Sequence, residues 1–248
     1  MSLKTFLTTQ FVYAKPHYSI HSLYDIQRVL FLDNDLGTVY QGSQAMHVGF
    51  SKMPPYTSVY YWLADQIHSY LNNGVTETQV SFDAWHKTVC EGFISRCAAI
   101  GASVEYGFAQ KNLNLAIKYC YCFGDADEAV PFNKFKFAHV ALDGFTFCPS
   151  SSGRGWNSYL RYFRISRSGL QLPFYTEVVN PLVNIKTLSA WSKLNYEEYI
   201  SVQNEMREYF AKNPILYSDI AHLDPHHLAG CHGSTVLTPF QSEFFLWG

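Results

Sequence analysis

The stretch from residue 82 to residue 147 constrains the fold more than any other part of the chain. It reads FDAWHKTVCEGFISRCAAIGASVEYGFAQKNLNLAIKYCYCF, then an acidic loop, then FKFAHVALDGFTF. Apolar residues recur at intervals of three and four, the period of a helix with one buried face. The spacing predicts a helix over 82–100, N-capped by Ser81 and burying Trp85, Val89, Phe93 and Ile94. A second helix is predicted over 108–123. Gly101 closes the first, Gly107 opens the second and Gly124 ends it. The segment 135–147 alternates only loosely, and its pattern fits a helix or a strand.

The second helix carries polar groups among its apolar residues. Gln110, Lys111, Asn114 and Lys118 lie in one helical stripe, at spacings of three, four and seven. Amides and two ammonium groups in a row are what gripping a phosphate or carboxylate requires, so these four are candidate ligand-binding residues. The plain alternative is a solvated helix face. His139 and Asp143 are candidate catalytic residues. In a helix the i, i+4 spacing joins them, and a carboxylate orients an imidazole for general base work. In a strand they stand about 13 Å apart at roughly 3.3 Å per residue. The plain alternative there is a structural histidine and a capping aspartate.

Elsewhere the chain reads as helices joined by irregular segments. HSLYDIQRVLFL at 21–32 has helical spacing and ends in the turn chemistry of Asp33, Asn34, Asp35 and Gly37. Pro54 and Pro55 precede a helix predicted over 59–72, closed by Gly74. A helical region over 189–212, broken at Asn195, is stopped by Pro214. Phe240, Phe244, Phe245, Leu246 and Trp247 are expected to dock on the core. Parallel α/β alternation is absent, as are GxGxxG, GxxxxGK[ST] and GxSxG. The fold class is mainly α, a single globular helical domain over 1–248 with irregular N-terminal and C-terminal segments. CPSSSGRGWN at 148–157 is the one place for a sub-division.

Hydrophobic residues make up 48% of the chain and charged residues 15%, against a usual charged share of about 25%; this excludes a disordered chain. Aromatics at 17% point to a thick aromatic core or, less simply, to an aromatic-lined groove. Net charge is −2, so no global field draws the molecule to nucleic acid or membrane. The distribution is uneven: residues 106–176 hold 8 basic and 4 acidic groups, a balance of +4. Within that island Arg154, Arg161, Arg164 and Arg167 alternate with Trp156, Tyr159, Tyr162 and Phe163. Arginines for phosphates and ring faces for bases are the chemistry of single-strand nucleic-acid contact. Pairing of these arginines with the acidic C-terminal third is the plain alternative.

No apolar run reaches the roughly 20 residues of a membrane span, and a cytoplasmic protein is expected, with no membrane partner. Its six cysteines are then thiols. Cys90 and Cys97 stand about 10 Å apart along one helix, too far for a disulfide, and are expected as small buried hydrophobes. HLDPHHLAGCH at 222–232 gathers His222, Asp224, His226, His227, Cys231 and His232. Pro225 breaks the helix that would align His222 with His226, and neither HExxH nor paired CxxC is present. No metal or other cofactor is expected.

YGFAQKNLNLAIKYCYCF followed by HVALDGFTF resembles a motif pair of a loose group of bacterial and phage-associated helical proteins. That group has a G-x-A-Q-K-x-x-N helix and then H-x-P-x-D. Trp191, Ser192, Lys193, Tyr196, Tyr199, Gln203 and Arg207 resemble its later W-S-K…Y…Q…R segment. Ala141 stands where that pattern has proline. The resemblance covers residues 82–147 and 188–216 and implies no established activity. A fainter similarity is to the helix-hairpin-helix DNA glycosylases. It implies roles for Gly107, Lys111 and Asp143, although the L-P-G-V-G hairpin is missing.

Three functions follow as expectations. The first is contact with nucleic acid through the basic region. The second is a small-molecule enzyme whose cleft is lined by Lys111, Asn114, His139 and Asp143. The third is a protein-interaction module. Convergence of those four side chains would favour the enzyme, and an exposed array of Lys118 with Arg161, Arg164 and Arg167 would favour nucleic acid. Oligomeric state is not legible in the sequence.

Overall fold

The computed structural model describes residues 56–73, 78–123, 135–142 and 191–212, with residues 214, 216, 218, 236 and 238–240. The chain forms two compact units, His17–Ala141 and Met1–Pro16 with Leu142–Gly248. The described part is mainly α. No described helix is long and apolar enough to cross a membrane.

In the first unit three helices pack on one another: α1 (Tyr56–Asn73), α2 (Gln79–Ala99) and α3 (Tyr106–Phe123). α2 begins three residues before the predicted start because Thr78, not Ser81, is the cap. Thr78 Oγ1 accepts from Ser81 N, and Thr78 N donates to Ser81 Oγ, a reciprocal capping box. The other end is a Schellman turn. Gly101 adopts φ +82°, Gly101 N donates to Ala98 O and Ala102 N donates to Cys97 O. Only a residue without Cβ takes that conformation cheaply. A short connection then returns the chain, and α3 starts where Phe108 N and Ala109 N donate to Glu105 O.

The pairings set the helices antiparallel. Phe93 meets Phe108 near the turn, with ring centroids 6.2 Å apart, and His86 reaches Asn114 two turns further on. Between α1 and α2, Tyr60 lies edge-on to Phe93 and Tyr70 stacks on Trp85 at 4.2 Å. Trp62 of α1 lies over Gly92, with the Arg96 guanidinium 3.9 Å from its ring centroid. The predicted burial of Val89, Phe93, Cys90 and Cys97 holds, while Trp85 and Ile94 are half-buried.

Residues 135–142 form neither the helix nor the strand considered for them. A turn closes with Ala138 N donating to Phe135 O, and an irregular strap follows. With no helix through 138–142, the i, i+4 geometry that would join His139 to Asp143 is not built; Asp143 itself lies outside the described residues.

In the second unit a 3₁₀ turn, Trp191–Lys193, precedes α4 (Tyr196–Lys212). The break falls at Asn195, as its cap chemistry dictates. Asn195 N donates to Glu198 Oε2, and Glu198 N donates to Asn195 Oδ1. Tyr199, Val202, Gln203, Met206 and Phe210 form its buried stripe. Phe240 is buried as expected of the tail. Phe244, Phe245, Leu246 and Trp247 lie outside the described residues.

Candidate functional site

Every residue from Tyr106 to Lys118 is buried. A solvated face for α3 is therefore incorrect: Gln110, Asn112, Asn114 and Lys118 expose 1% or less and Lys111 exposes 4%. A helix closed in all round its circumference has no wet side on which to place polar groups. Each such group needs a partner, since leaving a buried donor or acceptor unmade costs about 1–3 kcal/mol.

The amides are joined in a chain of fixed direction. Gln110 Nε2 donates to the backbone carbonyl of Gly107 at 2.8 Å. Its Oε1 accepts from Asn114 Nδ2 at 3.0 Å, and the same Nδ2 lies 3.4 Å from the Val140 carbonyl of the strap. Asn114 Oδ1 then faces His86 Nε2 of α2 at 2.9 Å. Tyr106 Oη is 3.1 Å from the other ring nitrogen, Nδ1. Asn112 makes a separate link: its Nδ2 donates to Phe108 O, and Tyr60 Oη of α1 donates to its Oδ1.

His139 is brought beside this chain by the strap. It is 2% exposed, and its Nε2 donates to Asp83 Oδ1 at 2.7 Å. The carboxylate partner of His139 is thus Asp83, in the first turns of α2. Gln79 Nε2 donates both to Asp83 Oδ1 and to the Phe137 carbonyl, tying carboxylate and strap together. The imidazoles of His139 and His86 lie against each other with centroids 4.4 Å apart and planes inclined by 40°, and Phe82 meets His139 edge-on at 5.0 Å. Asp83 is the outer member of the pair, its side chain 18% exposed against 1% for His139. This reverses the usual order, in which a buried carboxylate orients a more accessible histidine.

Cys90 completes the α2 side, with Sγ 3.7 Å from His86 Nδ1. Burial pushes its thiol well above the ordinary range, against a smaller lowering by a hydrogen bond with Tyr106. Cys90 is therefore an S–H group at neutral pH and not a nucleophilic thiolate. Among the described residues no group of three His, Cys, Asp or Glu side chains has the geometry of a metal site. The His222–His232 cluster and Arg154, Arg161, Arg164 and Arg167 lie outside the described residues.

Five of the candidate residues, Gln110, Lys111, Asn114, Lys118 and His139, therefore sit within the buried interior of one helical unit. Asp83, His86 and Tyr106 are additions from the structure. Asp83 has the sequence signature of an ordinary first-turn acid, and His86 stands three residues on among apolar positions with no motif to mark it. Tyr106 was hidden among 18 tyrosines. Comparison with protein-family models, with curated proteins and with solved structures finds no match.

Proposed function

We propose that the helical unit is a small-molecule enzyme acting on an anionic ligand. Lys111, Lys118, Gln110 and Asn114 would supply binding groups, and His139 held by Asp83 would supply acid–base chemistry. The observation that carries this reading is the burial of five polar side chains between residues 110 and 118, one of which, Asn114, bonds to the first of two adjoining histidine rings. A helix serving only as core has no need of two lysines there, because each adds the cost of taking an ammonium out of water. Buried titratable groups gathered with convergent amides are the usual composition of an active site.

The burial of Lys111 and Lys118 also removes them from the surface that a polyanion would touch. A nucleic-acid contact would then rest on Arg154, Arg161, Arg164 and Arg167.

A thermal-shift screen with small phosphates, small carboxylates and single-stranded oligonucleotides tests the proposal. A true ligand at about a hundredfold excess over Kd stabilises the fold by about 2.7 kcal/mol. The expected result is stabilisation by one class of small anion, lost in Lys118→Met and in His139→Gln. No stabilisation by any small anion, or stabilisation retained in both variants, refutes it. Stabilisation by oligonucleotides alone, falling steeply with salt, turns the reading to nucleic acid.

A further inference from the structure

The polarity of the amide chain has a chemical consequence at His86. A backbone carbonyl can only accept. Gln110 must therefore present its NH2 to Gly107 O, and its Oε1 is left facing Asn114. Asn114 must in turn present its NH2 to Gln110 Oε1, a choice reinforced by the Val140 carbonyl on the same nitrogen. Its Oδ1 is then the only atom that can face His86 Nε2. An oxygen that only accepts requires a proton on Nε2. The imidazole's second nitrogen, Nδ1, has two different neighbours, Tyr106 Oη at 3.1 Å and, at 3.7 Å, the Cys90 thiol, a weak donor and weak acceptor that imposes neither protonation state. Tyr106 Oη both donates and accepts, so it satisfies Nδ1 whether or not that nitrogen carries a proton.

We propose that His86 takes up and releases a proton at Nδ1 alone, against a Tyr106 hydroxyl that switches from donor to acceptor, while Gly107 O, Gln110 and Asn114 hold the Nε2 proton permanently in place. In the resting pair the phenol keeps its proton and donates it to a neutral Nδ1, because a phenol is a far weaker acid than an imidazolium. When a ligand or water delivers a proton to Nδ1, Tyr106 keeps its own proton, turns its O–H away and accepts from Nδ1–H through its oxygen. No other hydrogen bond in the chain needs to change. Tyr106 is thereby a hydroxyl joined to a base of fixed tautomer, which is the arrangement that lets one site accept and return a proton.

The neighbours are compatible with this assignment. The buried or half-buried titratable side chains nearest His86 are Asp83 and Cys90 on α2, Tyr106, Lys111 and Lys118 on α3, and His139 on the strap; Lys87, Glu91 and Arg96 lie toward the outside of α2, with Lys87 paired to Glu91, and Lys136 is the exposed charge of the strap. Asp83 Oδ1 is engaged by His139 and Gln79. Cys90 keeps its proton and forms no thiolate to draw one onto Nδ1. The His139 ring, its centroid 4.4 Å away, further disfavours simultaneous charge on the two rings.

The inference rests on the proposed acid–base site, but its test is independent of any ligand. Histidine-labelled protein is studied by long-range ¹H–¹⁵N correlation between pH 5 and 8, with His86 assigned by loss of its signals in His86→Gln. The expected spectrum shows Nε2 protonated at every pH, with only Nδ1 changing. Tyr106→Phe should move the Nδ1 resonance and its titration midpoint while leaving Nε2 protonated. Asn114→Leu should release the lock and give a mixture of the two neutral tautomers. A neutral His86 protonated on Nδ1 in the wild-type protein, or a mixture of tautomers there, overturns the proposal. So does a Tyr106→Phe spectrum identical to wild type. The wild-type measurement decides even if Asn114→Leu fails to fold. A ligand screen without hits refutes the enzyme reading and leaves this result unaffected.

Discussion

Gly92→Ala isolates the contact that seats α1 on α2. A Cβ built on Gly92 comes within 2.7 Å of Trp62 Cη2 and 2.9 Å of Trp62 Cζ2. Ordinary carbon contact begins near 3.5 Å, so the indole must retreat by roughly 0.8 Å at its nearest atom. Retreat disturbs the seating of the half-buried indole and its contact with the Arg96 guanidinium, which sits 3.9 Å from the ring centroid while Arg96 Nη1 donates to Gly92 O. Overpacking of this kind costs about 1–3 kcal/mol. Against it stands the helix propensity of alanine, worth about 1 kcal/mol over glycine in a helix interior. The net effect in the wild-type protein is destabilisation of about 0–2 kcal/mol. The sharper expectation is the double-mutant cycle. In a Trp62→Ala background the obstacle is gone and only propensity remains, so Gly92→Ala should there stabilise by up to about 1 kcal/mol. Urea denaturation followed by far-UV circular dichroism gives all four stabilities. A Gly92→Ala change that stabilises equally in both backgrounds refutes the reasoning, because it means the indole does not lie on Gly92.

Asn114→Leu leaves the His86 Nε2–H and Gln110 Oε1 buried without these partners, at about 1–3 kcal/mol each, and should lower the urea midpoint markedly with little change in slope. Thr78→Ala removes the capping box of α2 and should cost about 1 kcal/mol, read from the thermal midpoint. Burial raises the Cys97 thiol to about 12 from an ordinary 9.0, and Cys90 moves in the same direction. The folded state therefore holds protons that the unfolded state releases above about pH 9, so stability should fall as pH rises from there toward 12. The urea midpoint measured across that range checks the sign, and Cys97→Ala should flatten the slope.

The described helices were legible because local rules set them, while the helix expected over 21–32 lies outside the described residues. Gly101 and Pro214 stop helices for reasons contained in one residue, and Asn195 caps α4 through a glutamate three residues on. The start of α2 was misplaced by three residues because Ser81 and Thr78 both have cap chemistry. The choice between them lies in a reciprocal bond that spacing does not distinguish. The 135–142 strap was illegible for a deeper reason. Its conformation is held by Gln79, Asp83 and Asn114, which lie 58, 56 and 26 residues away along the chain from the groups they bind.

The buried site shows where periodicity stops being informative. Gln110, Asn114 and Lys118 recur every four residues, and that interval serves a wet stripe and a buried hydrogen-bonded ladder equally well. The discriminating signal lies on the rest of the helix. Phe108, Leu113, Leu115, Ala116 and Ile117 surround the polar stripe, and not one acidic residue accompanies the two lysines between residues 106 and 123. A solvated helix face usually carries acids that pair with its bases at i, i+4, whereas a helix apolar on its remaining sides must be enclosed. Enclosure then forces every amide to find an acceptor, and the Gly107 carbonyl supplies the first. From that carbonyl the direction of each further bond follows, through Gln110 and Asn114 to one nitrogen of His86. The helix that looked like a wet surface is thus the element that decides where a buried histidine can exchange its proton.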